Sequence, residues 1–176
     1  MKIRIIGYAG SGKTSLAIKL QEKYHIQGIS LDDYLKIKDK NKRYHQLNTR
    51  LSELPNWIVE GVQVSHWTEK ATKEADLIII LDYPIYLTQY RVTKRAFTQC
   101  FTKKKTFTQR KKNIKRMFKL YKWNHRFKKR LPDIKKNLTT DHGKLLILES
   151  PEDVKRVHRE MRQYFYSANK KKNDKK

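Results

Sequence analysis

Apolar residues gather in five short runs separated by polar or glycine-rich stretches, and the spacing of these runs sets the architecture. Lys2-Ile3-Arg4-Ile5-Ile6, Ile26 to Leu31, Trp57 to Val59, Leu77 to Leu81 and Leu145 to Leu148 have strand length and are rich in β-branched or aromatic residues. The runs at 77–81 and 145–148 are continuously apolar rather than alternating, as expected of parallel strands covered by helices on both faces. Between the runs the period changes to that of a helix. Ser15-Leu16-Ala17-Ile18-Lys19-Leu20 repeats its apolar residues at helical spacing through Tyr24. Ser150-Pro151-Glu152-Asp153 offers a cap, a proline in the first turn and acids at the positive end of a helix dipole, and Val154, Val157, Met161 and Phe165 then share a face. The prediction is a single α/β domain over about 1–166: three layers around a five-stranded parallel sheet.

The stretch between the fourth and fifth runs is too long for a simple crossover. Ile114, Met117, Phe118 and Tyr121 form one helical stripe, and Leu120, Trp123, Phe127 and Leu131 a second, until Pro132 interrupts the pattern. A helical insertion over about 96–136 is therefore expected, its aromatics packed against the body or a neighbouring helix. Stacking on nucleic-acid bases is the alternative.

Charge changes the picture. Among 176 residues, 42 Lys and Arg stand against 17 Asp and Glu, a formal charge of +25. From Arg91 to Lys136 there are 19 basic residues and one acid, Asp133, so the excess is concentrated in the insertion. Such a segment can grip phosphates, including those of nucleic acid, without reading sequence. One cysteine, Cys100, excludes an internal disulfide and fits a reducing compartment. The longest strongly apolar run is far too short to span a bilayer, and the N-terminus enters the first strand without a signal-peptide pattern. A cytoplasmic protein without membrane partners is expected. Residues 167–176, with A-N-K-K-K-N-D-K-K from Ala168, have nothing to bury and are expected to form a disordered basic tail.

The candidate chemistry begins at Gly7-Tyr8-Ala9-Gly10-Ser11-Gly12-Lys13-Thr14, which spells G-x-x-x-x-G-K-[ST] between an apolar strand and an amphipathic helix. Glycines at 7, 10 and 12 let the backbone wrap until successive N–H groups, through Ser11 and on to Ser15, point at phosphate oxygens, and the helix N-terminus adds its own donors. Lys13 is placed to reach the β- and γ-phosphates of ATP and Thr14 to put its hydroxyl on Mg²⁺.

Carboxylates at strand ends come next, because ligands bind at that edge of a parallel sheet. Glu60 closes the third run beside Gly61 and is a candidate to hold a Mg²⁺-bound water or the acceptor's hydroxyl; the alternative is an exposed loop carboxylate. Asp82 follows the fourth run and ranks lower, since before Tyr83-Pro84 it can simply bond the turn backbone. Asp32, in Leu31-Asp32-Asp33-Tyr34, is a candidate general base or Mg²⁺-shell residue, or with Asp33 a cap for the next segment. Arg91 and Arg95 are four apart and, if helical, can clamp phosphate oxygens from one side. Arg43, Arg50, Arg110, Arg126 and Arg130 are weaker candidates in so basic a chain.

Taken in order, K-I-R-I-I-G-Y-A-G-S-G-K-T, L-D-D-Y, W-I-V-E-G-V, H-W-T-E-K-A-T-K-E-A-D-L-I-I-I-L-D-Y-P and R-V-T-K-R resemble the topology-modulation proteins of bacteria, relatives of adenylate kinase and shikimate kinase. Met117 to Leu138 and G-K-L-L-I-L-E-S-P-E-D-V resemble that family's basic insertion and its last strand and helix. The resemblance spans most of residues 1–166. It implies a sheet in adenylate-kinase order, a mobile lid before the last strand, Glu60-Gly61 in the place of the Asp-Gly of nucleotide kinases, Arg91 and Arg95 at the base of the lid, and the Ser150-Pro151 turn as the cradle for adenine. The chain has Gly61-Val62-Gln63 where the family commonly has Gly-Asn-Tyr, and a shorter segment between the second and third strands; both departures fall on the acceptor side. The expected function is an ATP-binding kinase passing a phosphoryl group to a small acceptor: a nucleotide, a nucleoside or a hydroxylated metabolite. A nucleotide-dependent nucleic-acid-binding or regulatory protein, acting on DNA topology, is the alternative.

Overall fold

The computed structural model describes residues 1–101, 106–138 and 144–173, the last six by backbone alone. Its strands are β1 (Lys2–Gly7), β2 (Gln27–Ser30), β3 (Trp57–Glu60), β4 (Leu77–Leu81) and β5 (Lys144–Leu148). Its helices are α1 (Lys13–Tyr24), α2 (Leu31–Tyr34), α3 (Lys40–Glu53), α4 (Glu69–Lys73), α5 (Ile85–Phe101), α6 (Phe107–Asn137) and α7 (Val154–Asn173). All strand pairs are parallel, in the order β2-β3-β1-β4-β5. The expected three-layer α/β fold is the one observed.

β4 shows why its sequence lacks alternation. Leu77, Ile79 and Leu81 point into one core with Ile3 and Ile5 of β1, Leu16 and Leu20 of α1, and Val157 and Met161 of α7. Ile78 and Ile80 point into the other, with Ile6, Val59, Leu47 and Leu51 of α3, and Phe127 and Leu131 of α6. Both faces are dry, so every position must be apolar. β5 lies at the sheet edge and differs: Leu146 and Leu148 are buried, whereas Leu145 and Ile147 are only partly covered.

Several boundaries depart from the sequence reading. Leu31 leaves the second strand and begins α2. α6 runs on through Pro132, where the pattern had suggested an interruption. Proline removes its own N–H and crowds the carbonyl one turn back, but it sits on the exposed side of α6, while Phe127, Leu131 and Ile134 around it are buried and hold the helix together. The insertion is thus no detached flap, since its C-terminal half is part of the second core. α7 continues to Asn173, into the stretch expected from its composition to be a disordered tail; 174–176 lie outside the described residues. The Ser150 turn forms a capping box with Asp153, whose carboxylate accepts from the Ser150 and Glu149 amides, before α7 begins.

Among the described residues no helix is long and apolar enough to cross a membrane.

Candidate active site

β1 ends at Gly7, and the chain must turn back over its own strand end to start α1 at Lys13. Three glycines allow this. A Cβ at Gly7 would lie 2.6 Å from Ser11 Oγ, and one at Gly10 would lie 2.6 Å from the Thr88 carbonyl on α5. Gly10 and Gly12 also sit at φ +83° and +95°, where a side chain is strained. Ser11 N–H donates to the Tyr8 carbonyl at 3.2 Å, closing the turn. The loop opens onto a cavity of about 680 Å³ lined by residues 9–16, by Arg91 and Arg95 of α5, by Arg116 of α6, by Asp32, and by Pro151 and Val154 beyond β5. Residues read from four separate stretches of sequence as site candidates, the loop, Asp32, Arg91 with Arg95, and Pro151, therefore meet in one place.

Lys13 lies half-buried in this cavity, its Nζ 3.5 Å from the Tyr8 carbonyl. Burial lowers its pKa, and the carboxylates of Glu60 and Asp32 pull it part of the way back. Thr14 exposes its side chain to the same space and donates its hydroxyl to Glu60 Oε1 at 3.3 Å, while Ser30 Oγ donates to that same oxygen at 2.8 Å. Glu60 is thus buried at the sheet edge rather than being an exposed loop carboxylate.

Beneath it lies Arg4, fully buried in the middle of β1. Its guanidinium donates to the carbonyls of Ile5, Val59, Gly61 and Gln63 at 2.8–3.1 Å. Burial lowers its pKa to about 9, with the Glu60 carboxylate acting in the opposite direction. Arg4 therefore serves both as a tie across β1 and β3 and as the buried countercharge to Glu60. The space beside Gly61 is filled by protein: at φ +154° a Cβ there would lie 2.8 Å from Leu31 Cβ.

Asp82 has a different fate. It accepts from Tyr8 Oη at 2.9 Å, from Lys128 Nζ at 2.7 Å and from Lys135 Nζ at 2.6 Å. The expected turn-backbone role is not what is seen: only its own N–H joins the backbone ladder, donating to the Leu148 carbonyl. Burial alone would raise its pKa, yet the bonds from Lys128, Lys135 and Tyr8 outweigh burial and hold it below the usual carboxylate range.

The remaining candidates divide clearly. Arg91 donates to the Ser11 carbonyl at 3.2 Å and lies over the Tyr83 ring, so it buttresses the loop while facing the cavity. Asp32 accepts from Gln63 Nε2 at 3.0 Å and borders two cavities; Asp33 pairs instead with Lys36 in solvent. The second cavity, of about 860 Å³, adjoins the first at Ala9, Lys13, Asp32, Arg116 and Leu120, and takes in Arg126 and Arg130. Arg43 bonds the Ile37 carbonyl and Arg50 pairs with Glu53, so both have local structural work. Arg110 is exposed, lies outside both cavities, and gives its carbonyl to the Cys100 thiol.

Sequence reasoning missed Asn124. This fully buried residue of α6 reaches Ala9 in the phosphate loop and pairs with it twice, Oδ1 accepting from the amide and Nδ2 donating to the carbonyl, both at 3.0 Å. The signal available was a lone uncharged polar residue, W-N-H, on the apolar face of a cationic helix. It also missed Arg4, visible as a charge within a buried strand, and Arg116.

Among the described residues no group of three or more His, Cys, Asp or Glu could hold a metal ion by itself. Thr14 and Glu60 nevertheless fit Mg²⁺, which takes one or two protein oxygens and completes its octahedron with water and phosphate.

No family model matches the chain, and a search of curated proteins gives no match. Solved structures do match in fold. Deoxyadenosine kinase from M. mycoides, with bound dATP, superposes with a TM-score of 0.59 at 12% identity over 92% of this chain and 100% of that one. Shikimate kinase from Bacteroides thetaiotaomicron gives 0.55 at 12% identity, covering 94% and 98%. Shikimate kinase from Acinetobacter baumannii, in complex with shikimate, gives 0.53 at 12% identity, covering 95% and 93%. The chain thus has the fold of the P-loop kinases.

Proposed function

We propose that the protein is a kinase of the adenylate-kinase-like class that transfers the γ-phosphoryl group of ATP to a small acceptor. The observation that carries this reading is the convergence of Lys13, Thr14 and Glu60 with Arg91, Arg95 and Arg116 around one phosphate loop, beside a second cavity. Backbone N–H groups from Gly7 to Ser15 cradle the phosphates, and Pro151 flanks the base. Thr14 and Glu60 would hold Mg²⁺, which when bound would neutralise charge at the phosphates. Lys13, Arg91 and Arg95 stabilise charge on the transferred group, and Asp32, at the junction of the two cavities, takes the acceptor's proton. Such a reaction needs positioning and electrostatics more than covalent help.

The arrangement of the arginines favours this over the nucleic-acid reading. If the insertion served only to grip nucleic acid, its arginines would line an outer surface; Arg116 instead faces the loop, and Arg126 and Arg130 face the adjoining cavity. The second reading draws on the exposed Lys111, Lys112, Lys122 and Lys129 of α6; Lys103, Lys104 and Lys105 lie outside the described residues. The sequence resemblance to topology-modulation proteins is compatible with either. The test is ADP production by purified protein against a panel of nucleotides, nucleosides, hydroxylated metabolites, RNA and DNA. An acceptor-dependent rate with a small molecule supports the kinase; a rate that stays at the ATP-alone background with all of them overturns it.

A further inference from the structure

The second cavity carries a charge pattern that narrows the acceptor, given the kinase reading on which this inference rests. Five cations face it, Lys13, Arg116, Lys119, Arg126 and Arg130, against one carboxylate, Asp32. Four of the five come from α6 alone. At positions 116, 119, 126 and 130 they fall on one side of the helix, together with Leu120, Trp123 and Phe127. Cations gathered around one pocket repel each other, and a bound polyanion removes that repulsion; a single carboxylate would neutralise only one of them. The wall between them is flat and aromatic. Trp123 stacks on Phe127 with ring centroids 5.3 Å apart and planes 19° apart, and Phe127 is fixed edge-on by Tyr8. Val62, Val64 and Ile134 complete the apolar lining. The volume suits a small ligand rather than a macromolecular groove.

We propose that this cavity takes an acceptor bearing a phosphate or equivalent dianion joined to a planar, apolar group, the dianion held by Arg126 and Arg130 of α6 and the plane laid against Trp123. The helix that closes over the phosphate loop through Arg116 and Asn124 then also reads the acceptor. Arg126 and Arg130 are exposed and bond no residue that supports the fold, so replacing them changes the site and not the folded state.

The experiment uses the full chain and three probes that share a ring and differ in charge: 4-nitrophenyl phosphate, 4-nitrobenzoate and 4-nitrobenzyl alcohol. Each is titrated calorimetrically at physiological salt, with and without a saturating non-hydrolysable Mg·ATP analogue. The cavity is thus read whether or not the loop is loaded. The phosphate probe should bind at least tenfold more tightly than the neutral one, with the carboxylate between them. The double variant Arg126→Ala/Arg130→Ala should lose at least tenfold in affinity for the phosphate probe and keep its affinity for the analogue. Lys129→Ala, which removes a positive charge elsewhere on α6, should behave as wild type. Trp123→Ala should weaken the phosphate probe and leave inorganic phosphate unaffected. Equal affinity for the three probes, or an equal loss in Lys129→Ala, overturns the assignment. Failure of the analogue itself to bind would instead tell against the phosphate loop, and is read in a separate titration.

Discussion

Glu60 ends β3 and Asp82 follows β4, so the two carboxylates flank β1 at the same edge of the sheet. From sequence Asp82, coming after five apolar residues, ranks below Glu60 as a candidate for chemistry. What surrounds each side chain differs sharply. Glu60 is approached by small hydroxyls, Thr14 and Ser30, the first of which lines the cavity, and its buried cation, Arg4, is occupied by backbone carbonyls behind it. Asp82 is approached by two lysines and a tyrosine that use both of its oxygens. One carboxylate has its partners arranged around an opening, and the other is a clasp fastening α6 to the sheet. Position at a strand's end is therefore insufficient to assign a role; the partners decide it.

Glu60→Gln gives the largest expected separation. It removes the charge but keeps the shape and the hydroxyl partners, so ATP binding should persist while turnover falls by roughly a hundredfold or more, the range over which positioned acid–base and charge effects act. An unchanged rate with an identified acceptor would leave Glu60 without a catalytic role and make Asp82 the better candidate.

Asp82→Asn should show the opposite pattern. Hydrogen bonds to a charged group are worth about 1.5–3 kcal/mol. The Lys128 and Lys135 side chains are 46% and 26% exposed, so solvent screens part of this. A loss of about 2 kcal/mol is expected, or roughly 4–8 °C in Tm for a chain of this size, with Mg·ATP affinity nearly unchanged. The pH dependence sharpens the test. Because the folded-state pKa of Asp82 is depressed, its contribution is fully present above the ordinary carboxylate pKa and is lost as pH falls through the depressed value. Acid unfolding of Asp82→Asn should lack that component; an unaltered acid limb would mean that the clasp contributes nothing to stability.

Much of this contrast could not be read from the chain. The sheet was legible because burial on both faces forces runs such as Leu77 to Leu81 to be wholly apolar, and the phosphate loop because its geometry demands glycine at fixed places. Asp82's partners were not, since Lys128 and Lys135 lie 46 and 53 residues away and look like any other lysines of a strongly basic helix. Asn124 was hidden in the same way, 115 residues from Ala9. α6 passes Pro132 because tertiary burial of Phe127, Leu131 and Ile134 outweighs one missing backbone bond, a balance that local propensity does not contain. Arg4 was the exception: a charge inside an apolar strand is a visible anomaly, and its four carbonyl partners explain it.

The smallest expected effect concerns the basic insertion. Raising salt from about 50 to 200 mM should weaken RNA or DNA binding by at least roughly an order of magnitude, because counterions are reabsorbed along the strand, while a preformed loop keeps its nucleotide. Charge reversal of Lys103, Lys104, Lys105, Lys111 and Lys112 should abolish the former and spare the latter, as read by electrophoretic shift and calorimetry in parallel. Absence of nucleic-acid binding even at low salt would leave α6 with the cavities alone.

The catalytic outcomes presuppose that the loop from Gly7 to Thr14 holds a triphosphate, and Lys13 is the residue on which that rests. Calorimetric titration of Mg·ATP into wild type and Lys13→Ala measures it directly. The account predicts binding by the wild type and loss of most of that affinity in the variant, since the remaining donors of the loop are uncharged backbone groups. Equal affinity in the two proteins would contradict it.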